Sequence, residues 1–264
     1  MPFITNESFV EWISGKRVAL VGPASSAHQF KQGDKIESYD LVCRVKSFYV
    51  PSEKKDIYGS RVDILYTDND ETNDVLPGDK VEKRTILMSE ESIGLRKDIM
   101  MNQIQAVVST YPASEWFFDR FVLPLKRMAQ LTNVRILPDE PYSTIRKETF
   151  RPNAGFSAIL DLASLPISEL YITGIDFYRS LYREDYLNSL YTKETILSWN
   201  SPPFDGFAPD GQPDRHDPDL QFKYFKHKIW KGDERIKTDP FMEMVLKDDR
   251  YEDFETAMLL SENK

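Results

Sequence analysis

The chain of 264 residues has a single cysteine, Cys43, and only three histidines. One thiol forms no intramolecular disulfide and builds no cysteine-based zinc site, which suits a reducing compartment. Positive charge is also scarce: 34 Lys and Arg stand against 43 Asp and Glu, for a net charge of -9. That balance argues against a protein living on nucleic acid phosphates and leaves room for a local basic pocket around one phosphate. No run approaches the ~18 consecutive apolar residues of a membrane span. The leading MPFITNESFVEWISGKR lacks the basic-then-apolar order of a signal peptide. Together these absences lead us to expect a cytoplasmic chain with no membrane span and no nucleic acid partner.

What is present is an ordinary globular composition, 41% hydrophobic and 29% charged. Short β-rich apolar runs recur: RVALVG from Arg17, DLVCRV from Asp40, VDILY from Val62, RTILMS from Arg84, AVVST from Ala106, VRILP from Val134 and ELYITG from Glu169. Between them helical spacing covers Glu91 to Gln103, Ala113 to Leu131 and Phe156 to Leu165. This β-α-β order predicts an α/β fold: a single Rossmann-like domain over 1–264, with a mostly parallel sheet of roughly seven strands flanked by helices. The sheet core is expected over about 15–176. A Pro, Gly and Asp-rich loop from Asn200 to Asp214 follows, then a helix pair from about Pro218 to Trp230 and from about Asp239 to Leu260.

Ligands of open α/β sheets sit beyond the carboxyl ends of the strands, so the residues just after each strand are the candidates. Gly22, Pro23, Ser25 and Ser26 follow the first run, where free amides at a helix start can hold a phosphate. Arg44 and Lys46 lie two residues apart, on one side of the second strand by alternation. Thr67 precedes Asp68-Asn69-Asp70, which has the form of a DxD metal site and is also an acidic turn. Asn153, Ala154 and Gly155 open an apolar helix, with Asn153 as its N-cap and Gly155 allowing close approach to the backbone; Asp176 ends the strand that follows. His216 precedes Asp217 and Pro218, an N-cap and first helical residue. The helix dipole favours neutral His216 while Asp214, Asp217 and Asp219 oppose it, so the sequence fixes no net direction for its basicity.

The stretch RVALVGPASSAHQFKQGDKIESYDLVCRVK, with YGSRVDILY after it, resembles the large sialyl motif and the following block of the sialyltransferase family. RPNAGFSAILDLASLPISELYITGIDFY is similar to the small motif, and RHDPDLQ to the very small one, with Gln221 where the family has an acid. The order of the blocks matches from residue 17 to about 230. The chain departs from the pattern at Pro23 and Lys46, which replace asparagines, and in lacking the Cys pair and the His-Tyr motif. Tyr182, Tyr186 and Tyr191 are the candidates for the phosphate contact of that last motif.

The resemblance implies a GT-A-like variant of the Rossmann-like fold and an inverting glycosyltransferase. It would move sialic acid, or a related acidic sugar such as Kdo, from a CMP-sugar donor to a carbohydrate acceptor. His216 is then the general base. Gly22, Pro23, Ser25, Ser26, Arg44, Lys46, Thr67, Asn153, Ala154, Gly155 and Asp176 are the donor-binding residues. One phosphate leaves with CMP, so no metal cofactor is expected. Two alternatives stay open: a metal-dependent nucleoside-diphosphate-sugar transferase using Asp68 and Asp70, and a non-catalytic nucleotide- or glycan-binding relative. An NAD-dependent dehydrogenase fits poorly, because the first turn lacks the glycine spacing.

Overall fold

The computed structural model describes residues 3–46, 50–67, 104–112, 129–130, 132–183, 216–253, 256–257 and 260. Within them the six expected strand runs at Arg17, Asp40, Val62, Ala106, Val134 and Glu169 form β1 (Arg17–Val21), β2 (Leu41–Val45), β3 (Ile64–Thr67), β4 (Ala106–Pro112), β5 (Asn133–Leu137) and β6 (Glu169–Thr173). A seventh, β7 (Ile236–Thr238), was not expected. The expected strand at Arg84, the helices over 91–103 and most of 113–131, Asp68 to Asp70, Tyr186, Tyr191 and the loop over 200–214 lie outside the described residues.

All seven strands are parallel, in the order β5-β4-β3-β2-β1-β6-β7. The fold is an open, Rossmann-like α/β sheet. β2, β3 and β4 are buried along their whole lengths, as strands covered on both faces must be. Alternation divides their side chains. Leu20, Cys43, Ile64 and Val108 pack with Phe156, Ile159 and Phe222 on one face, while Ala19, Val21 and Val42 pack with Ile36 and Tyr171 on the other. Strand order reverses between β1 and β6, so a topological switch point lies there.

Two helical expectations change. The Pro218 segment is an α-helix only over Pro218–Tyr224 and continues as a π-helix over Phe225–Ile229. The helix expected from Asp239 is α-helical over Pro240–Lys247, gives way to a 3-10 turn at Asp249–Tyr251 and is helical again at Thr256, Ala257 and Leu260; Asp248 leaves helical geometry and its carboxylate accepts from the Arg250 amide, capping a new turn instead of continuing the old one. A helix over Asp139–Thr149, which was not expected, buries Tyr142, Ile145, Arg146 and Thr149. Among the described residues no helix is long and apolar enough to cross a membrane.

Candidate active site

Lys46 stands one residue beyond β2, and its amide donates to the Tyr66 carbonyl at 2.7 Å. Its φ is 59°, in the left-handed region, so it leaves the alternation of the strand. Arg44 and Lys46 therefore do not share a neighbourhood. Arg44 is buried and donates to the carbonyls of Tyr58, at 2.8 Å, and Arg61, at 2.9 Å. Lys46 instead acts electrostatically on His216 and Tyr178.

The Ala154–Ser164 helix begins as expected, with the Asn153 Oδ1 accepting from the Phe156 amide at 2.8 Å. The Ser157 amide turns back to the Asn153 carbonyl, also at 2.8 Å. Among the described residues no acceptor meets the amides of Ala154 and Gly155, the first two of the helix. Gly155 is small for packing, since a Cβ there would lie 3.0 Å from Ile175 Cγ2.

His216 pairs with Phe150 in an antiparallel bridge, and its Nδ1 lies 2.8 Å from the Arg151 carbonyl. A carbonyl only accepts, so Nδ1 carries the proton and Nε2 presents a lone pair when the ring is neutral. Burial, then the charges of Arg151, Lys46 and Arg146, hold the imidazole pKa down to about 3. Of the carboxylates expected to oppose this, Asp217 accepts from the Leu220 amide at 3.0 Å and Asp219 pairs with Arg179 at 2.9 Å, while Asp214 lies outside the described residues. The direction that sequence left open is downward.

Tyr178, also with a positive φ of 63°, hydrogen-bonds the side chains of Tyr182 and Asn153, and burial raises its pKa. Lys46, Arg146, Arg151, His216, Tyr178 and the helix start at Asn153 thus meet at the carboxyl edge of the sheet. Sequence reasoning missed Arg146, Arg151 and Tyr178. Arg151 and Tyr178 stand at the two ends of the RPNAGFSAILDLASLPISELYITGIDFY block, which was their signal; Arg146 had none. A base with an available lone pair in a cationic neighbourhood can deprotonate a hydroxyl beside an anionic reactant.

The turn after β1 is different. The amides of Gly22, Ala24, Ser25 and Ser26 donate to Thr173 O at 2.8 Å, Gly174 O at 2.9 Å, Leu181 O at 2.7 Å and Ser180 Oγ at 3.0 Å. The Pro23 carbonyl accepts from the Arg183 amide at 2.9 Å. The amides expected to hold a phosphate already have acceptors in this chain, and the segment after β6 occupies the switch point. A Cβ on Gly22 would lie 2.3 Å from the Gly174 carbonyl oxygen, so here glycine serves backbone packing. Ser26 Oγ donates to Asp176 at 2.8 Å and Ser180 Oγ donates to the same carboxylate. Burial nonetheless lifts Asp176 to about 6. Thr67 is buried, and its carbonyl accepts from Thr110 Oγ1 at 3.2 Å.

No family model matches the chain, and no curated protein does. Among solved structures it is similar to a mammalian sialyltransferase determined in complex with Gal-beta-1-3GalNAc-ortho-nitrophenol. Identity is 12%, coverage is 89% of this chain and 73% of that chain, and the TM-score is 0.48. The likeness is distant. Among the described residues no group of three or more His, Cys, Asp or Glu is placed to hold a metal ion, and Asp68 and Asp70 fall outside them.

Proposed function

We propose that the chain is an inverting glycosyltransferase. It moves sialic acid or a related acidic ulosonic sugar, such as Kdo, from a CMP-sugar to a glycan hydroxyl without a metal. The observation that carries this reading is the placement of His216 Nε2 as an acceptor among Lys46, Arg146 and Arg151, beside the start of the Ala154–Ser164 helix. The order of the sialyl-like blocks in the sequence supports the choice of donor.

In the reaction the acceptor hydroxyl oxygen attacks the anomeric carbon, and its proton passes to His216 Nε2. The bond from that carbon to the phosphate oxygen breaks, and CMP leaves with the electron pair. Lys46 and the amides of Ala154 and Gly155 hold the phosphate through charge and backbone donors. The cations that draw in the donor also depress His216, so the empty site holds a weak base. The donor's phosphate and carboxylate offset that field when bound and return basicity to the imidazole.

The second reading, a metal-dependent nucleoside-diphosphate-sugar transferase, rests on Asp68 and Asp70. Calorimetric titration with CMP, CDP, UDP and NAD, each in EDTA and in manganese, separates the two. Tight CMP binding in EDTA is the expected result. Preference for UDP or CDP only with manganese overturns our reading.

A further inference from the structure

We propose that Gln221 is a positioning residue whose buried amide ties the base His216 to the helix start at Asn153. The inference rests on the transferase reading above for its catalytic meaning and on hydrogen bonds alone for its geometry. Gln221 sits in the first turns of the Pro218–Tyr224 helix, with no side-chain exposure. Its Nε2 donates to the Arg151 carbonyl at 2.9 Å, the same oxygen that receives His216 Nδ1 at 2.8 Å. Its Oε1 accepts, at 3.4 Å, from the amide of Asn153, the cap of the Ala154–Ser164 helix.

The chemistry of each partner fixes the amide's orientation. A carbonyl requires a donor and a backbone amide requires an acceptor, so only one of the two flipped forms satisfies both. With Gln221 and His216 on it, the Arg151 oxygen has a donor for each of its two lone pairs. The peptide is held against rotation, and the imidazole keeps its proton on Nδ1. Residues 151 to 153 separate the two ends of the link, so the distance from base to helix start is set by one short braced segment.

A carboxylate at 221 accepts from Asn153 and, unless protonated, offers nothing to the Arg151 carbonyl. The neutral amide is thus the side chain of this shape that serves both ends. Sequence alone marks Gln221 only as a departure from an acidic pattern.

The test uses the full chain carrying Gln221→Met, which keeps the volume and loses both bonds, and Gln221→Glu, which keeps only the acceptor. The 15N spectrum of histidine-labelled protein, with His216 assigned by its loss in His216→Ala, reports the tautomer without any donor present. We expect the wild type in the Nδ1-H form and the Met variant in a tautomer mixture. We also expect kcat for donor turnover to fall about 10- to 100-fold in the Met variant. In the Glu variant the pH profile of kcat should move to higher pH, with the donor KM less affected than kcat. If both folded variants keep the wild-type tautomer and pH profile, with only Tm lowered, Gln221 is structural and the proposal is overturned. If the tautomer responds but the wild type turns over no CMP-sugar, the transferase reading fails and the link between His216 and Asn153 stands.

Discussion

Two corners at the carboxyl edge of one sheet have been put to opposite uses. After β1, every N–H from Gly22 to Ser26 meets an acceptor from residues 173–181, Pro23 having none to donate. Across β2 and the Ala154–Ser164 helix, Lys46, Arg146 and Arg151 gather around His216, and the charges that act most strongly on it are these cations. A strand followed by a glycine turn looks the same in sequence whether it faces a ligand or its own chain. Which it faces depends on a segment about 150 residues further along, close enough here that Gly22 and Gly174 leave no room for a side chain.

If the two corners are used in this way, the base corner governs turnover. His216→Ala is expected to lower kcat at least about 100-fold, the scale of a lost general base, with donor KM and Tm little changed. Steady-state kinetics beside thermal unfolding check this, and near-normal turnover in the variant removes His216 from the chemistry. Gly22→Ala should do the reverse. Its Cβ meets backbone, not a flexible side chain, so unfolding stability should drop by about 3 kcal/mol while the folded fraction keeps its affinity for CMP. A stable variant that loses CMP binding would place the phosphate at the β1 turn after all.

Lys46 sharpens the same contrast. Replacing it with Met should weaken CMP binding about tenfold, the cost of one charge-assisted hydrogen bond, with little effect on stability. CMP should raise the His216 pKa from its depressed value in the empty site, because the phosphate offsets the field of Lys46, Arg146 and Arg151. An NMR titration with and without CMP reads the shift. A His216 that titrates identically in both would show that the anion binds elsewhere.

The strands were legible because Val, Ile and Leu run continuously through buried parallel strands, as in RVALV and LVCRV. β7 escaped because it has only Ile236 to Thr238, too short for a period to register. The Asp139–Thr149 helix escaped for a different reason. Its buried face does follow helical spacing, at 142, 145, 146 and 149, but two of those four positions are Arg146 and Thr149. A pattern search for apolar residues passes over such a face, and with it one of the cations of the site. Asn153 and Asp217 were readable as caps because capping is local. The separation of Arg44 from Lys46 was not, since it follows from the left-handed backbone at Lys46.

The smallest expected effect lies in the sealed corner. Asp176, lifted to about 6 by burial, is above the ~3.9 of an unfolded aspartate. Between those values the native state holds a proton that the unfolded state has lost, so this group makes stability fall as pH rises through the window and level off above about 6. His216, depressed to about 3, has the opposite sign: its contribution is lost as pH falls from ~6.5 toward that value. The two slopes offset each other in the wild type, so the informative quantity is the difference from a variant. Ser26→Ala removes a hydroxyl donor that favours the charged carboxylate, and should raise Asp176 further at a cost of about 1 kcal/mol near neutrality. Because the variant leaves His216 untouched, subtracting the two stability curves cancels its slope. The difference should be small near pH 4 and grow as pH rises past 6, the stretch over which the wild-type carboxylate gains charge that Ser26 stabilises. Denaturant unfolding across that range decides it: a difference constant with pH would mean that the hydroxyl contributes packing alone and that Asp176 does not titrate there.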